Sequence, residues 1–129
     1  MRAKLHVTAG VRNYTTRSPV YNNFQPSIEG CGWAYDVLLK LGYRILHIAG
    51  NTDGIITIPG MWNWLKDLNR KVTQPWSPYM NTVGDLIGHT KGYGNLTIFT
   101  YSGAGHDVFY AKNTDISRLV RRFTQERPL

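Results

Sequence analysis

Gly50-Asn51-Thr52-Asp53-Gly54 closes the apolar run from Tyr43 to Ala49, and Ser102-Gly103-Ala104-Gly105-His106 closes the run from Asn95 to Tyr101. Both runs are short and apolar, and the second is rich in β-branched and aromatic residues. With glycines at their ends, both read as strands. Each turn then sets one ionisable side chain, Asp53 or His106, just past a strand end. In open α/β sheets, ligands and catalytic groups gather at the carboxyl ends of strands. If the two strands are parallel neighbours, both turns open on one edge of the sheet. Asp53 is then placed to accept from His106 Nδ1, which fixes the tautomer and leaves Nε2 to take a proton from a hydroxyl.

The flanking stretches supply helices. Trp33, Ala34, Val37, Leu38 and Leu41 recur on one helical face, with Ser27 as the expected cap and Gly42 as the left-handed residue past the end. His47, inside the first strand, reads as a satisfied core histidine. Ile55 to Ile58 is expected to be extended or packed beneath the turn. Pro59 is expected at the first position of a second helix, whose apolar face is Met61, Trp62, Trp64, Leu65 and Leu68. Gln74 to Thr82, with Pro75 and Pro78, reads as loop. Leu86 to Gly94 alternates weakly and reads as an extended stretch or a hairpin arm. A last helix from about Thr114 carries Ile116, Leu119, Val120 and Phe123 at helical spacing, with Asn113 or Thr114 as cap and Asp115 at its positive end. Strands alternating with helices define the α/β class. Residues 11–26 read as loop and include the sequon Asn13-Tyr14-Thr15. A second sequon is Asn95-Leu96-Thr97, and both count only in a secreted chain.

At 129 residues the chain can hold one domain with a core. A βαβ unit takes about 30 residues, so only some three or four strands fit, and sheet edges stay uncovered. The formal charge of +7 raises the question of a nucleic-acid partner. The bases, however, are spread from Arg2 to Arg127 without a run of four, and Arg118, Arg121 and Arg122 read as a solvated helix face. No nucleic-acid partner is expected. An acidic partner chain would also suit the charge. Cys31 is the only cysteine, so no internal disulfide forms, and its small neighbours suggest a buried residue. No run approaches the ~18–20 apolar residues of a membrane span. The first residues lack the ~7–15 residue apolar core of a signal peptide. No membrane partner, metal or cofactor is expected.

The nucleophile is missing. Asp before His is the chain order of the α/β-hydrolase triad, in which Ser comes first within G-x-S-x-G between strand and helix. No such segment occurs here. Gly50 to Gly54 is formally G-x-T-x-G, but a β-branched run follows Thr52 instead of an immediate helix. The serines at 18, 27, 77, 102 and 117 lack flanking glycines.

At these residues the chain resembles the C-terminal part of a serine carboxypeptidase. The family's pattern reads G-D-T-D, a helix ending in W-L, then P-W, G-Y, N-L-T and G-A-G-H-M-V-P. This chain has Gly50-Asn51-Thr52-Asp53, Trp64-Leu65, Pro75-Trp76, Gly92-Tyr93, Asn95-Leu96-Thr97 and Gly103-Ala104-Gly105-His106-Asp107-Val108 in the same order. Tyr43-Arg44-Ile45-Leu46 fits the strand before G-D-T-D. Met1-Arg2-Ala3-Lys4-Leu5-His6-Val7 is similar to the family's V-R-x-A-L-H-V, so the likeness spans nearly the whole chain.

The resemblance implies that residues 1–129 form one partial domain, the C-terminal strands and helices of the mostly parallel α/β-hydrolase sheet. It makes Asp53 the triad acid and His106 the triad base of a serine-type carboxypeptidase acting on peptides through an acyl-enzyme. The Ser would come from an upstream chain or segment. A vacuolar, lysosomal or secreted location goes with the family. The alternatives are a carboxypeptidase-like acyltransferase, or a non-catalytic binding or scaffold subunit.

The departures fall close to the site. Asn51 replaces the first Asp of G-D-T-D. Asp107 stands where Met is usual, on the substrate-binding side, and is expected to compete with Asp53 for His106. Phe109, Ala111 and Asn113 stand where Pro, an acidic or amide residue, and Pro are usual. Arg17 lies near the place of a family disulfide cysteine.

Overall fold

The computed structural model describes residues 23–25, 30–111 and 113–125. The Met1 to Val7 match, Asn13, Arg17 and Ser27 lie outside the described residues. Contacts divide the chain into two units, Met1–Gly30 and Cys31–Leu129, and every element below belongs to the second. In order these are α1 (Gly32–Lys40), β1 (Ile45–Gly50), α2 (Ile58–Asp67), β2 (Gln74–Met80), β3 (Leu86–Tyr93), β4 (Leu96–Tyr101), α3 (Val108–Ala111) and α4 (Asn113–Thr124).

The strands form one mixed sheet in the order β1-β4-β3-β2. β1 and β4 are hydrogen-bonded neighbours and parallel, in register from Ile45 against Leu96 to Gly50 against Tyr101. The expected adjacency is therefore present, and both strands end level with each other. The other two pairs are antiparallel, so the four described strands form a mixed sheet packed by helices, within the expected α/β class. The reason is local. Gly94 and Asn95 make a tight turn between β3 and β4, and Asn81 to Asp85 turn β2 into β3, so neither pair has room for a crossover helix.

β4 runs between β1 and β3 and is buried on both faces, which accounts for its unbroken apolar composition. Alternation along it feeds two clusters. Leu96 and Ile98 pack with Leu39 of α1, Ala49, and Met61 and Leu65 of α2. Phe99 and Tyr101 pack with Tyr79, Val108, and Ile116 and Leu119 of α4. Full burial of side chains of this size is worth about 1.5–3 kcal/mol each. The Tyr101 hydroxyl donates to Asp115 at 2.5 Å and ties β4 to the first turn of α4. Burial and that carboxylate together hold the phenol far above its ordinary value.

Several local expectations hold. Gly42, at φ +83°, follows the C-cap of α1. Its amide donates to Leu39 O and that of Tyr43 to Leu38 O, the paired bonds of a Schellman stop. Nδ1 of His47 is bonded to the Tyr35 hydroxyl at 2.8 Å, and its ring packs on Trp64 at 5.5 Å, so it is a satisfied, part-buried histidine. Met61 and Leu65 are buried and Trp62, Trp64 and Leu68 half-buried, as the α2 face required.

Others do not hold. Gln74 to Met80 is a strand, not a loop. β2 is the sheet's outer edge, where proline is tolerated, and its pairing with β3 shifts register between Gln74 and Ser77, around Pro75. α2 starts at Ile58, one residue before Pro59, with the Thr57 hydroxyl accepting from Gly60 N. Cys31 is exposed, and it caps α1 without a side-chain bond. Ile55 and Ile56 project into solvent instead of packing beneath the turn. The apolar face of α1 is also exposed. Trp33 is 65% and Leu41 68% accessible, with Val37 and Leu38 exposed beside them.

Among the described residues no helix is long and apolar enough to cross a membrane, and no group of three or more His, Cys, Asp or Glu is placed to hold a metal ion.

Candidate active site

Because β1 and β4 end together, their following turns meet. A Cβ on Gly50 would fall 2.2 Å from Ala104 O and 2.4 Å from Gly105 O, so only glycine lets the turns approach this closely. Backbone bonds hold the approach. Asn51 N donates to Tyr101 O at 2.9 Å, and Thr52 N donates to Ala104 O at 3.0 Å. One side chain joins them, with Gly103 N donating to Asn51 Oδ1 at 2.7 Å.

This contact brings Asp53 and His106, 53 positions apart in sequence, together. Asp53 Oδ2 lies 3.0 Å from His106 Nδ1. The other oxygen, Oδ1, accepts from Ile55 N at 2.8 Å and Ile56 N at 3.1 Å. The carboxylate is thus held at both oxygens, and its side chain is only 7% exposed. The Ile55 amide is the largest influence holding its pKa below the ordinary carboxylate value. Desolvation acts the other way, and the His106 bond, the Ile56 amide and the His106 charge add to the lowering. An ionised Asp53 can only accept, so Nδ1 of His106 carries the proton.

His106 is 57% exposed, and Nε2 has no hydrogen-bond partner among the described residues. A neutral imidazole held in this way presents an accepting nitrogen to any hydroxyl that docks against it.

Asp107 is exposed, and its Oδ1 accepts from Tyr110 N at 3.0 Å, capping α3. The expected competition for His106 does not appear in the hydrogen bonding, where Nδ1 pairs with Asp53. A short helix starting one residue after Asp107 provides the competing amide. Phe109 and Tyr110 of α3, and Ile55 and Ile56 after the first turn, are all exposed. Thr52, the formal nucleophile match, is committed through its backbone to the turn contact. Ser77 bonds Pro75 O. No serine among the described residues is bonded to His106.

Two features were not anticipated from the sequence. The close approach at Gly50 and the Asn51 tie are both tertiary. The only local signal was the pair of polar and glycine residues ahead of Asp53.

The structure thus brings together a carboxylate and an imidazole with an open nitrogen at the ends of two adjacent parallel strands. The serine carboxypeptidase family model matches residues 1–126, and the chain belongs to that family. It is similar to serine carboxypeptidase-like 14 of Arabidopsis thaliana, 37% identical over 89 residues, covering 68% of this chain and 20% of that relative. Serine carboxypeptidase-like 10 of the same plant is 31% identical across 100% of this chain and 29% of its own length. The chain thus spans less than a third of the length of these relatives.

Proposed function

We propose that this chain is the C-terminal portion of a serine-type carboxypeptidase and contributes the Asp and His of its triad. The observation that carries the reading is the 3.0 Å bond between His106 Nδ1 and Asp53 Oδ2, with Nε2 left open at the ends of two adjacent parallel strands. An upstream segment or chain supplies the Ser. Nε2 of His106 takes the Ser proton as the oxygen attacks the carbonyl of the last peptide bond, and returns it to the leaving amino group. Water, deprotonated by the same nitrogen, then releases the acyl group. Asp53 holds the ring and stabilises the imidazolium in both halves. Asp107, beside His106 on the exposed side, is the candidate for contact with substrate.

The uncovered flank supports an upstream part. Among the described residues β1 has a strand on one side only, and the face of α1 is apolar but exposed. A further strand would pair the free edge of β1.

The test is release of the C-terminal residue from an N-blocked dipeptide. This chain alone should be inactive. Joined to a Ser-bearing upstream segment it should hydrolyse the dipeptide, and Asp53→Asn should abolish most of that rate. Hydrolysis by the chain alone, or none after a folded joining, contradicts the reading. Acyl transfer from an activated ester without peptide cleavage would point to the acyltransferase instead.

A further inference from the structure

Resting on that reading of Asp53 and His106, we propose that Asn51 is a positioning residue that holds the His106 turn against the Asp53 turn. Besides the Asp53–His106 bond itself, three hydrogen bonds link the turns, and two of them are backbone to backbone, made by the amides of positions 51 and 52 whatever their side chains. The third, Gly103 N to Asn51 Oδ1 at 2.7 Å, is the shortest of the three and the only one that requires a particular side chain. Its two ends lie close to the pair in sequence. Asn51 is two residues before Asp53, and Gly103 three before His106.

The geometry says why such a tie matters. His106 is more than half exposed, and Asp53 is its hydrogen-bond partner, so little but the backbone of its turn fixes the ring. At Gly50 the turns approach without room for a methyl group, so their contact depends on being held closed. Asp53 itself is fixed independently by Ile55 N and Ile56 N. Loss of the Asn51 tie therefore moves the base while leaving the acid in place. What position 51 must supply is a short acceptor. Asp keeps that acceptor, whereas Leu keeps the approximate shape but leaves the Gly103 amide unpaired.

The experiment is 15N-edited NMR on the full chain at low temperature, following the Gly103 amide and the His106 Nδ1 proton. In Asn51→Leu the Gly103 amide should exchange roughly tenfold faster, as expected for one lost hydrogen bond, and the Nδ1 proton should be lost to solvent. Asn51→Asp should keep both signals. The Phe99 ring and Leu119 methyl resonances report whether each variant is folded. An Asn51→Leu variant that is folded and keeps the Nδ1 proton overturns the proposal, and so does an Asn51→Asp variant that loses it. The readout needs no nucleophile, so a failure of peptide hydrolysis in a completed protein would leave this result standing.

Discussion

β1 and β4 are six-residue apolar strands, parallel and in register, and each ends in a turn that carries one residue of the site. Their surroundings differ. β4 has neighbours on both sides and is buried at all but Thr97, whereas β1 has, among the described residues, a neighbour only on the β4 side and is half-buried from Ile45 to Ile48. Only at Ala49 and Gly50, where the turns meet, is β1 as buried as its partner. The lesson is that the two parts of this fold are finished to different degrees. The strand ends are closed by glycine contact and cross-bonds, while among the described residues β1 is an edge strand and the apolar face of α1 is exposed.

The contrast can be broken first at the closed end. In a protein completed by a Ser-bearing segment, His106→Ala should lower kcat by on the order of 10⁶-fold. Asp53→Asn should lower it by about 10⁴-fold, because the ring loses its tautomer while the geometry stays. Steady-state peptide hydrolysis measures both. Equal losses for the two variants would argue against an orienting role for Asp53.

Next comes the difference in burial. Ile98→Ala in β4 should cost about 2–5 kcal/mol in urea unfolding, since Ile98 is wholly enclosed. Ile45→Ala in β1 should cost about 1–2 kcal/mol, because Ile45 keeps part of its surface in water. Joining the upstream segment should raise the Ile45 cost toward that of Ile98. An unchanged Ile45 cost would mean that nothing packs beside β1.

The smallest effect concerns His47 within β1. Burial lowers the pKa of His47 below 6.5, so the folded chain holds it neutral. Below 6.5 the unfolded chain takes up a proton that the folded chain resists, so stability present above that pH declines as pH falls toward the folded value. His47→Gln should remove this part of the acid sensitivity, measured as the urea midpoint titrated downward through pH 6.5. A variant as acid-sensitive as the parent would contradict the assignment. Asp53 has the same sign at lower pH, its contribution being present above 3.8 and lost as pH falls through its depressed value.

Much of the closed end was legible in the sequence. Glycine-bounded strands, the left-handed stop at Gly42, the α4 face and the meeting of Asp53 with His106 all follow from local patterns or from strand adjacency. The rest depended on what lies across space. Pro75 and Pro78 read as loop because sequence does not say which strand will be an edge. Trp33 and Leu41 read as part of one helical face, because helical spacing shows an apolar face without saying which segment, if any, covers it. Asp107 was expected to engage His106, but the helix that its carboxylate caps begins one residue later. Asn51 stood out as a departure, yet its bond to Gly103 crosses 52 positions and has no local trace.

The most direct measurement of the central claim is fluorophosphonate labelling of the chain alone and of the chain completed by its Ser-bearing segment. The account predicts no label on the chain alone, label on a serine of the added segment, and loss of that label in His106→Ala. Label on the chain alone, or label unchanged by His106→Ala, would contradict it.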